Sequence, residues 1–288
     1  SFDTWKIQNW PEKGSWLKLL IKKDLRLKIV RKIENYNLKK ASIIVVVSDV
    51  LKDSLMQIGV PEKKILVNPN GVNVEKFVDV SDSEIQELRT KLNLKDKIIF
   101  GFIGTFGQWH GVLELAKSIV KFYDKYGDSK NKIRFLLIGD GFLMPEVKNI
   151  LNNSNWNDKV ILTGAIPQTQ GPVHLKSCDY LLSPHVPNPD GTKFFGSPTK
   201  LFEYLACKKP VIASDLDQIG DILTHNSDAI LTEPGDVNSL VEAMNKVLKD
   251  ESLCQKISDG AFHLVKEKYT WDIHVKNIIE KYQQEIAQ

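Results

Sequence analysis

The sequence predicts an α/β fold, in which a doubly wound parallel sheet is joined to a second, smaller α/β part. Short, continuously apolar runs alternate with helical patterns along most of the 288 residues. Continuous hydrophobicity marks strands that are buried on both faces, and a helix between successive strands is typical of a parallel sheet. The composition, 42% hydrophobic and 26% charged, is that of a globular chain with two domains.

The individual elements follow from local patterns. Strands are predicted at residues 42–48, 65–68, 97–103, 133–138, 159–163, 180–183, 210–214 and 229–232. Helices are predicted at residues 81–92, 111–126, 236–248, 251–268 and 271–286, among others. The first of these begins with a capping box, Ser81 to Glu84. The polar stretch at residues 70–82 is the best linker candidate, which divides the chain into residues 1–78, residues 79–269 and a final helix at residues 270–288.

Unusual loops follow four consecutive strands of the second part. They are Gly104–Gly111, Gly139–Gly141, Gly164–Gln168 and Pro184–Gly191. One such loop alone is typically a tight turn. Because ligands of open parallel sheets bind beyond the carboxyl ends of the strands, the four loops together favour a binding site. Main-chain N–H groups at Gly104 and Gly107 would approach a diphosphate closely, and His110 would add a hydrogen bond.

The segment from Phe195 to Tyr204 predicts an anion-binding helix start. Ser197 is a natural N-cap and Pro198 a natural first helical residue, which leaves main-chain N–H groups for an anion. Lys200 and Glu203 fall on one face of this helix. An ammonium for a phosphate and a carboxylate for a vicinal diol indicate a nucleotide ligand. The alternative is an ordinary capped helix with a surface ion pair.

Several other chemistries lack their signatures. The sequence has neither Gly-x-Gly-x-x-Gly nor a P-loop, which argues against a dinucleotide dehydrogenase and a P-loop phosphotransferase. Gly-x-Ser-x-Gly and metal-spaced His/Cys clusters are also missing. Asp215 and Asp217 are the expected caps of a helix rather than metal ligands, so no metal cofactor is predicted. His185 and His110 could each be structural histidines, and His110 has the better position for a role in binding.

The charge and the cysteine content limit the possible partners and the cellular location of the chain. A net charge of +3 with few Arg residues argues against a nucleic-acid binder. A basic helix is predicted at residues 17–40 after Trp5, Trp10 and Trp16. Residues 5–40 would suit contact with an anionic membrane, or the helix packs on a sheet with a solvated lysine face. The separated Cys178, Cys207 and Cys254 predict a reducing compartment, hence a cytoplasmic location, with peripheral contact at the inner membrane face.

Five stretches carry a family resemblance. They are Ala41–Ser48, Asn68–Val72, Gly104–Gly111, Leu137–Gly141 and Gly196–Ser214. In this order they resemble the family 4 retaining glycosyltransferases, the group 1 type with two facing Rossmann-like domains (GT-B). The resemblance implies a nucleotide-sugar donor domain at residues 79–269 and a last helix that crosses back to the first part. Residues 1–78 are then an incomplete Rossmann-like acceptor-side domain, and the chain is expected to be truncated at its N-terminus.

The resemblance also implies roles for individual residues. Glu203 matches the family's ribose contact, and Phe195 stands where the first Glu of the Glu-x7-Glu motif would be, so Asp190 is the candidate sugar-contacting carboxylate. The Gly104–Gly111 loop resembles a Trp-His-Gly variant of the family's loop. The resemblance then implies that Lys200 supplies most of the positive charge for the diphosphate. The predicted catalytic residues are Lys200 and His110. The predicted substrate-binding residues are Gly104, Thr105, Phe106, Trp109, Gly139, Ile166, Asp190, Gly191, Gly196, Ser197, Pro198, Thr199 and Glu203.

The expected function is transfer of a sugar from a nucleoside-diphosphate sugar to a polysaccharide or lipid-linked glycan acceptor, with retention and without a metal cofactor. Because the first part is short for an acceptor domain, the chain is expected to be mainly the donor-binding half. A nucleotide-sugar epimerase and a noncatalytic nucleotide-binding module are the alternatives. The nucleotide base, the sugar and the acceptor are left open.

Overall fold

The structure is a computed structural model that describes residues 23–127 and 131–287. The first part has a helix, α1 (Lys23–Lys40), and a strand–helix–strand unit of β1 (Ile44–Val46), α2 (Asp49–Gln57) and β2 (Ile65–Val67). The two strands pair in parallel around a small core of Val46, Val60 and Ile65. Two short helices, α3 (Glu75–Val78) and α4 (Asp82–Lys91), lead into the second part.

The second part is a parallel sheet of six strands. In chain order its elements are β3 (Ile98–Ile103), α5 (Val112–Tyr126), β4 (Ile133–Ile138), α6 (Met144–Asn152), β5 (Val160–Gly164), α7 (Gly171–Lys176), β6 (Tyr180–Ser183), α8 (Thr199–Ala206), β7 (Val211–Ser214), α9 (Gln218–Ile222), β8 (Ile230–Thr232), α10 (Val237–Val247), α11 (Glu251–Lys268) and α12 (Trp271–Ile286). The strand order is β5-β4-β3-β6-β7-β8. The order therefore reverses between β3 and β6, the position where doubly wound sheets bind ligands.

Helices cover both faces of this sheet because the strands are apolar on both sides. Phe100 and Phe102 of β3 face a core shared with α5 and α10, where the Phe100 and Phe135 rings stack at 5.3 Å. Ile99, the residue before Phe100, belongs to the opposite core with α8 and α11. The predicted α/β fold with a doubly wound parallel sheet is thus confirmed.

Most predicted boundaries agree with the structure to within two residues. The strands at residues 133–138 and 180–183 and the helices at residues 251–268 and 271–286 have the predicted limits. The capping box of Ser81 and Glu84 is present. The strand predicted at residues 42–48 is shorter, because the Ser48 hydroxyl caps α2 by accepting a bond from Leu51 N–H. Of the basic helix predicted at residues 17–40, the structure describes Lys23–Lys40, and Trp5, Trp10 and Trp16 lie outside the described residues.

The end of the chain returns to the first part. Val72 pairs with Thr270 in a parallel bridge, just before α12 begins. The side chain of Asn68 donates to the carbonyl of His274 at 2.9 Å, and His274 Nδ1 lies 2.8 Å from the carbonyl of Pro69. Helix α12 therefore contacts residues that follow β2. No helix in the described residues is long and apolar enough to cross a membrane.

Candidate functional site

A cavity of about 770 Å³ lies at the carboxyl edge of the sheet, beside the reversal between β3 and β6. One wall comes from the loops after β3, β4 and β5 and from the start of α8. The other wall comes from residues 71–77 and Trp271. A smaller hollow of about 350 Å³ lies along β8 and α10, away from this reversal. The sheet topology thus places the larger cavity where a nucleotide would be expected.

Lys200 places a buried cation next to the turn that follows β3. The side chain is only 6% exposed, and Nζ lies 4.3 Å from the centre of the Phe102 ring. A Cβ atom added to Gly104 would lie 3.3 Å from this Nζ. Within residues 23–127 and 131–287, no carboxylate forms an ion pair with Lys200. Burial lowers the pKa of Lys200 to about 7, with the Glu203 carboxylate acting in the opposite direction.

Two neutral histidines lie beside this lysine. Lys200 Nζ is 3.2 Å from Nδ1 of His110. Burial, and then the Lys200 charge, lower the pKa of His110 to about 3, so the imidazole is neutral. The bond from the ammonium to Nδ1 assigns the remaining ring proton to Nε2. The His185 ring lies 5.4 Å from the His110 ring, and burial holds its pKa well below the usual range.

The glycines of the loops allow a close approach of neighbouring backbones. Gly139 has φ 128°, and a Cβ atom there would overlap the carbonyl oxygen of Gly104. The loop amides differ from the prediction, however. Gly104 N–H donates to Ile138 at 2.9 Å, and Gly107 N–H donates to Thr105 at 2.9 Å. Thr105 lines the cavity, and its N–H has no protein acceptor in the described part of the chain.

The start of α8 corrects a second prediction. Pro198, with an extended backbone, is the N-cap, and the helix begins at Thr199. The Ser197 hydroxyl does not cap the helix, because it accepts a bond from Asn70 N–H at 3.0 Å. The Asn70 side chain also donates to the Ser197 carbonyl at 2.6 Å. The N–H groups of Thr199 and Lys200 have no intrahelical acceptor, so they remain suited to an anion.

Glu203 lies further along the same helix and lines the cavity. Burial raises the pKa of this carboxyl, while the charges of Lys76 and Lys200 oppose the increase. The next residue, Tyr204, is fully buried, and its hydroxyl accepts a bond from Ile103 N–H at 2.8 Å. This bond fixes α8 against the end of β3. The Glu203 carboxylate therefore lies about one helical turn from the Lys200 ammonium on the same helix.

The structure brings many, though not all, of the predicted site residues together. The cavity wall contains Gly104, Thr105, Gly139, Ile166, Thr199 and Glu203. Lys200 and His110 lie directly behind the Gly104 turn. Residues 196–198 lead into α8 without lining the cavity.

The remaining predicted residues lie elsewhere. The Phe106 ring is fully buried in the core, and both of its main-chain groups bond to neighbouring loops. Trp109 is 42% exposed beside His110. Asp190 and Gly191 form an exposed turn in which Asp190 accepts bonds from the main chain and hydroxyl of Thr192, which lower the pKa of Asp190. A sugar contact by Asp190 stays a prediction.

Asp217 also differs from its expected role. It stands at the N-cap position of α9 with φ 42°, yet its side chain makes no cap bond. Asp217 Oδ2 instead accepts a bond from Phe194 N–H at 2.7 Å, which holds the chain that leads into α8. No group of three or more His, Cys, Asp or Glu residues in the described part of the chain is arranged to hold a metal ion.

Sequence reasoning missed the residues of the second wall. Asn73 and Lys76 follow Asn68–Val72, and Trp271 opens the last helix, so their place in the cavity is a consequence of chain crossing. The polar composition of residues 70–82 had indicated a linker. For His185, one of the two possible structural histidines, Nδ1 lies 3.1 Å from the Ser183 hydroxyl. Its Nε2 is buried without a partner among the described residues.

Comparisons with known proteins agree with this geometry. The model of the glycosyl transferases group 1 family matches residues 84–263, and that of Glycosyltransferase Family 4 matches residues 10–76. An uncharacterized glycosyltransferase of Methanocaldococcus jannaschii is 23% identical over 239 residues, 83% of this chain and 57% of that protein. The UDP-Gal:alpha-D-GlcNAc-diphosphoundecaprenol alpha-1,3-galactosyltransferase of Escherichia coli is 24% identical, over 79% of this chain and 58% of that protein. The chain thus spans little more than half the length of these two relatives.

Solved structures show the same fold. Anabaena HepE in complex with UDP-glucose has a TM-score of 0.73 at 18% sequence identity, over 91% of this chain and 68% of that chain. The structural neighbours are GT-B glycosyltransferases. The group 1 model covers the sheet, the glycine loops and α8, which is more than half of the chain. The chain belongs to the group 1 glycosyl transferases, with a fold of the GT-B type.

Proposed function

We propose that this chain binds a nucleoside-diphosphate sugar, with a UDP-sugar as the first candidate, and forms the donor side of a glycosyltransferase. The observation that carries the proposal is the Lys200 ammonium, which is buried beside the Gly104 turn and forms no ion pair with a carboxylate of the described residues. A diphosphate supplies that counter-charge. HepE was solved with UDP-glucose, and the Escherichia coli relative is named for a UDP-galactose donor, which supports the same donor class.

The chemistry follows from charge development on the leaving group. As the bond from the anomeric carbon to the diphosphate oxygen breaks, negative charge accumulates on the diphosphate. The Lys200 ammonium, the His110 Nε2–H and the amides of Thr105 and Thr199 are the donors that would stabilise this charge. They are held by secondary structure before the ligand arrives, so little reorganisation is needed.

The finer parts of the proposal rest on the family resemblance and, for membrane contact, on the sequence pattern. Transfer proceeds with retention at the anomeric carbon, and the acceptor is a glycan or a lipid-linked glycan, the class for which the Escherichia coli relative is named. Asp190 contacts the transferred sugar. No divalent metal takes part, since Lys200 and main-chain amides supply the positive field. Residues 5–40 contact an anionic membrane surface, and Ile33 and Tyr36 are exposed on the described part of this segment.

Calorimetric titration with nucleotide-sugars tests the donor site. UDP-glucose, UDP-galactose, GDP-mannose and ADP-glucose are compared on the wild type and on Lys200→Met, which keeps the apolar stem and removes the charge. We expect at least one of these donors to bind the wild type and to bind Lys200→Met more weakly. Equal binding of every donor to both proteins would contradict it. Product analysis with and without an added acceptor separates transfer from epimerisation, because an epimerase needs no acceptor.

A further inference from the structure

The second wall of the cavity is fixed to the helix that carries Glu203. Helix α3 contacts α8, and Phe77 of α3 is 3% exposed in the same core cluster as Leu201 and Phe202. Lys76, the residue before Phe77, lines the same cavity as Glu203. The burial of Phe77 therefore holds the neighbouring lysine at the cavity, although Lys76 itself is exposed.

Two lysines face the Glu203 carboxylate from different elements. Lys200 comes from the same helix and Lys76 from α3. Lys200 contacts His110 and lies beside the Gly104 turn, where the proposed diphosphate binds. Once the diphosphate is bound, Lys200 is shared with it. Lys76 then remains the cation whose charge acts mainly on Glu203.

The other titratable groups around Glu203 do not replace this charge. Tyr204 and Cys207 on α8 are fully buried, and burial raises the pKa of both, so they are neutral. Asp140 lines the cavity from the loop after β4 and adds negative charge. Charged residues where α8 packs with α11 have other partners. Lys208 forms an ion pair with Asp259, and Lys266 lies over the Phe262 ring. Within the described residues no carboxylate lies within 4.0 Å of Lys76 Nζ, so Lys76 acts on Glu203 through space.

We propose that Lys76 is a positioning residue for the nucleotide, which keeps the Glu203 carboxylate charged and able to accept the hydroxyl groups of the ribose. This inference rests on the proposed function, because it assigns the ribose to Glu203. It adds a residue from outside the donor sheet to the donor site. The affinity of the donor domain for its ligand thereby depends on the position of the segment that precedes that domain.

The sign of the pH dependence follows from this role. Burial raises the pKa of Glu203 and Lys76 opposes the increase, so replacing Lys76 by a neutral residue raises the pKa further. Binding that needs the carboxylate is lost as the pH falls through that pKa. The acidic limb of the binding profile should therefore move to higher pH in Lys76→Met, by about half a unit to one unit.

The experiment is calorimetric binding of UDP-glucose from about pH 5 to about pH 8.5. UDP-glucose is the probe because its diphosphate is a diester that does not titrate in this range, unlike the terminal phosphate of UDP. The proteins are the wild type, Lys76→Met, Lys76→Arg, Glu203→Gln and the double variant Lys76→Met/Glu203→Gln. Lys95→Met is the matched control, since Lys95 is exposed in the turn before β3, at the opposite edge of the sheet.

The expected pattern is specific. Lys76→Met shifts the acidic limb, Lys76→Arg restores it, and Lys95→Met leaves it in place. Glu203→Gln binds weakly at all pH values, and Lys76→Met has no further effect in that background. An unshifted limb in Lys76→Met overturns the inference. So does an equal loss of affinity on both backgrounds, which would mean that Lys76 contacts the ligand directly.

A ligand-free measurement separates this inference from the proposed function. Carbon-13 NMR of the side-chain carboxyl groups, assigned with Glu203→Gln, gives the Glu203 pKa in the wild type and in Lys76→Met. A higher pKa in the variant supports the link between the two residues, and an equal pKa overturns it. A wild type that shows this link but binds no nucleotide-sugar would contradict the proposed function and the ribose role, while the electrostatic link would stand.

Discussion

Lys200 Nζ and His110 Nδ1 lie 3.2 Å apart at the point where the strand order of the sheet reverses. His110 lies in the loop that follows β3, and Lys200 lies in α8, the helix that follows β6. The pair is unusual because the buried cation has a neutral partner instead of a carboxylate. An uncompensated buried charge lowers the stability of the folded state, so such an arrangement is expected where a ligand completes it.

Replacement of Lys200 by methionine should have opposite effects on binding and on stability. Loss of a charge-assisted hydrogen bond should weaken binding of the donor about 10- to 100-fold. Without ligand the variant should unfold at an equal or higher temperature, because an unpaired charge is no longer buried. Calorimetry and thermal unfolding measure the two effects. Unchanged donor affinity, or a variant that unfolds at a lower temperature, would contradict this assignment.

The pKa of Lys200, about 7 in the folded protein against 10.5 ordinarily, predicts two pH effects. Between these values the unfolded chain binds more protons at this site, so the ligand-free protein should become more stable as the pH rises from about 7 towards 10.5. Donor affinity should fall over the same range, because the diphosphate requires the ammonium. Calorimetry in buffers of different ionisation enthalpy should show proton uptake on binding near pH 8, and Lys200→Met should abolish this uptake.

Gly139→Ala should destabilise the folded protein by about 2 kcal/mol or more. A methyl group there would overlap the Gly104 carbonyl, and φ 128° is unfavourable for alanine. Gly107→Ala is the control from a neighbouring loop, since its added Cβ atom would meet nothing closer than 3.6 Å. Urea unfolding of both variants measures the difference. Equal free energies of unfolding for the two variants would show that the loops do not need this close approach.

Removal of divalent metal should leave donor binding unchanged. The proposed positive charge comes from Lys200, and the other donors are an imidazole N–H and main-chain amides. Titration of UDP-glucose before and after treatment with EDTA, with magnesium added back, measures the effect. Affinity that is lost with EDTA and recovered with magnesium would show that a metal contributes to the site.

The parallel sheet could be predicted because its signals are local. The strands Ile133–Ile138 and Tyr180–Ser183 are mostly apolar, and a glycine or a proline follows each of them directly. Since carboxyl ends of parallel strands share one edge, the loops after them could be placed together without coordinates. The same reasoning predicts that Gly104, Gly139 and Lys200 lie in one region.

The structure differs from the sequence-based predictions where segments distant in sequence hydrogen-bond to the same side-chain or main-chain groups. Ser197 has the side chain of an N-cap, but Asn70, distant in sequence, donates to its hydroxyl. Gly104 has a free amide in a local description, whereas in the sheet it donates to Ile138. Lys76 and Trp271 enter the cavity only because the chain crosses back beside Val72. No local pattern contains these contacts.

The parallel bridge between Val72 and Thr270 has a mechanical consequence. The segment that leads from the first part to the six-stranded sheet and the segment that leads from α11 to α12 pass side by side at this one place. Bending either connection alone would break the bridge, so the two must flex together. Rotation of the two parts is therefore restricted to an axis near this bridge. Lys76, a few residues from this axis, would move only a short distance when the two parts rotate.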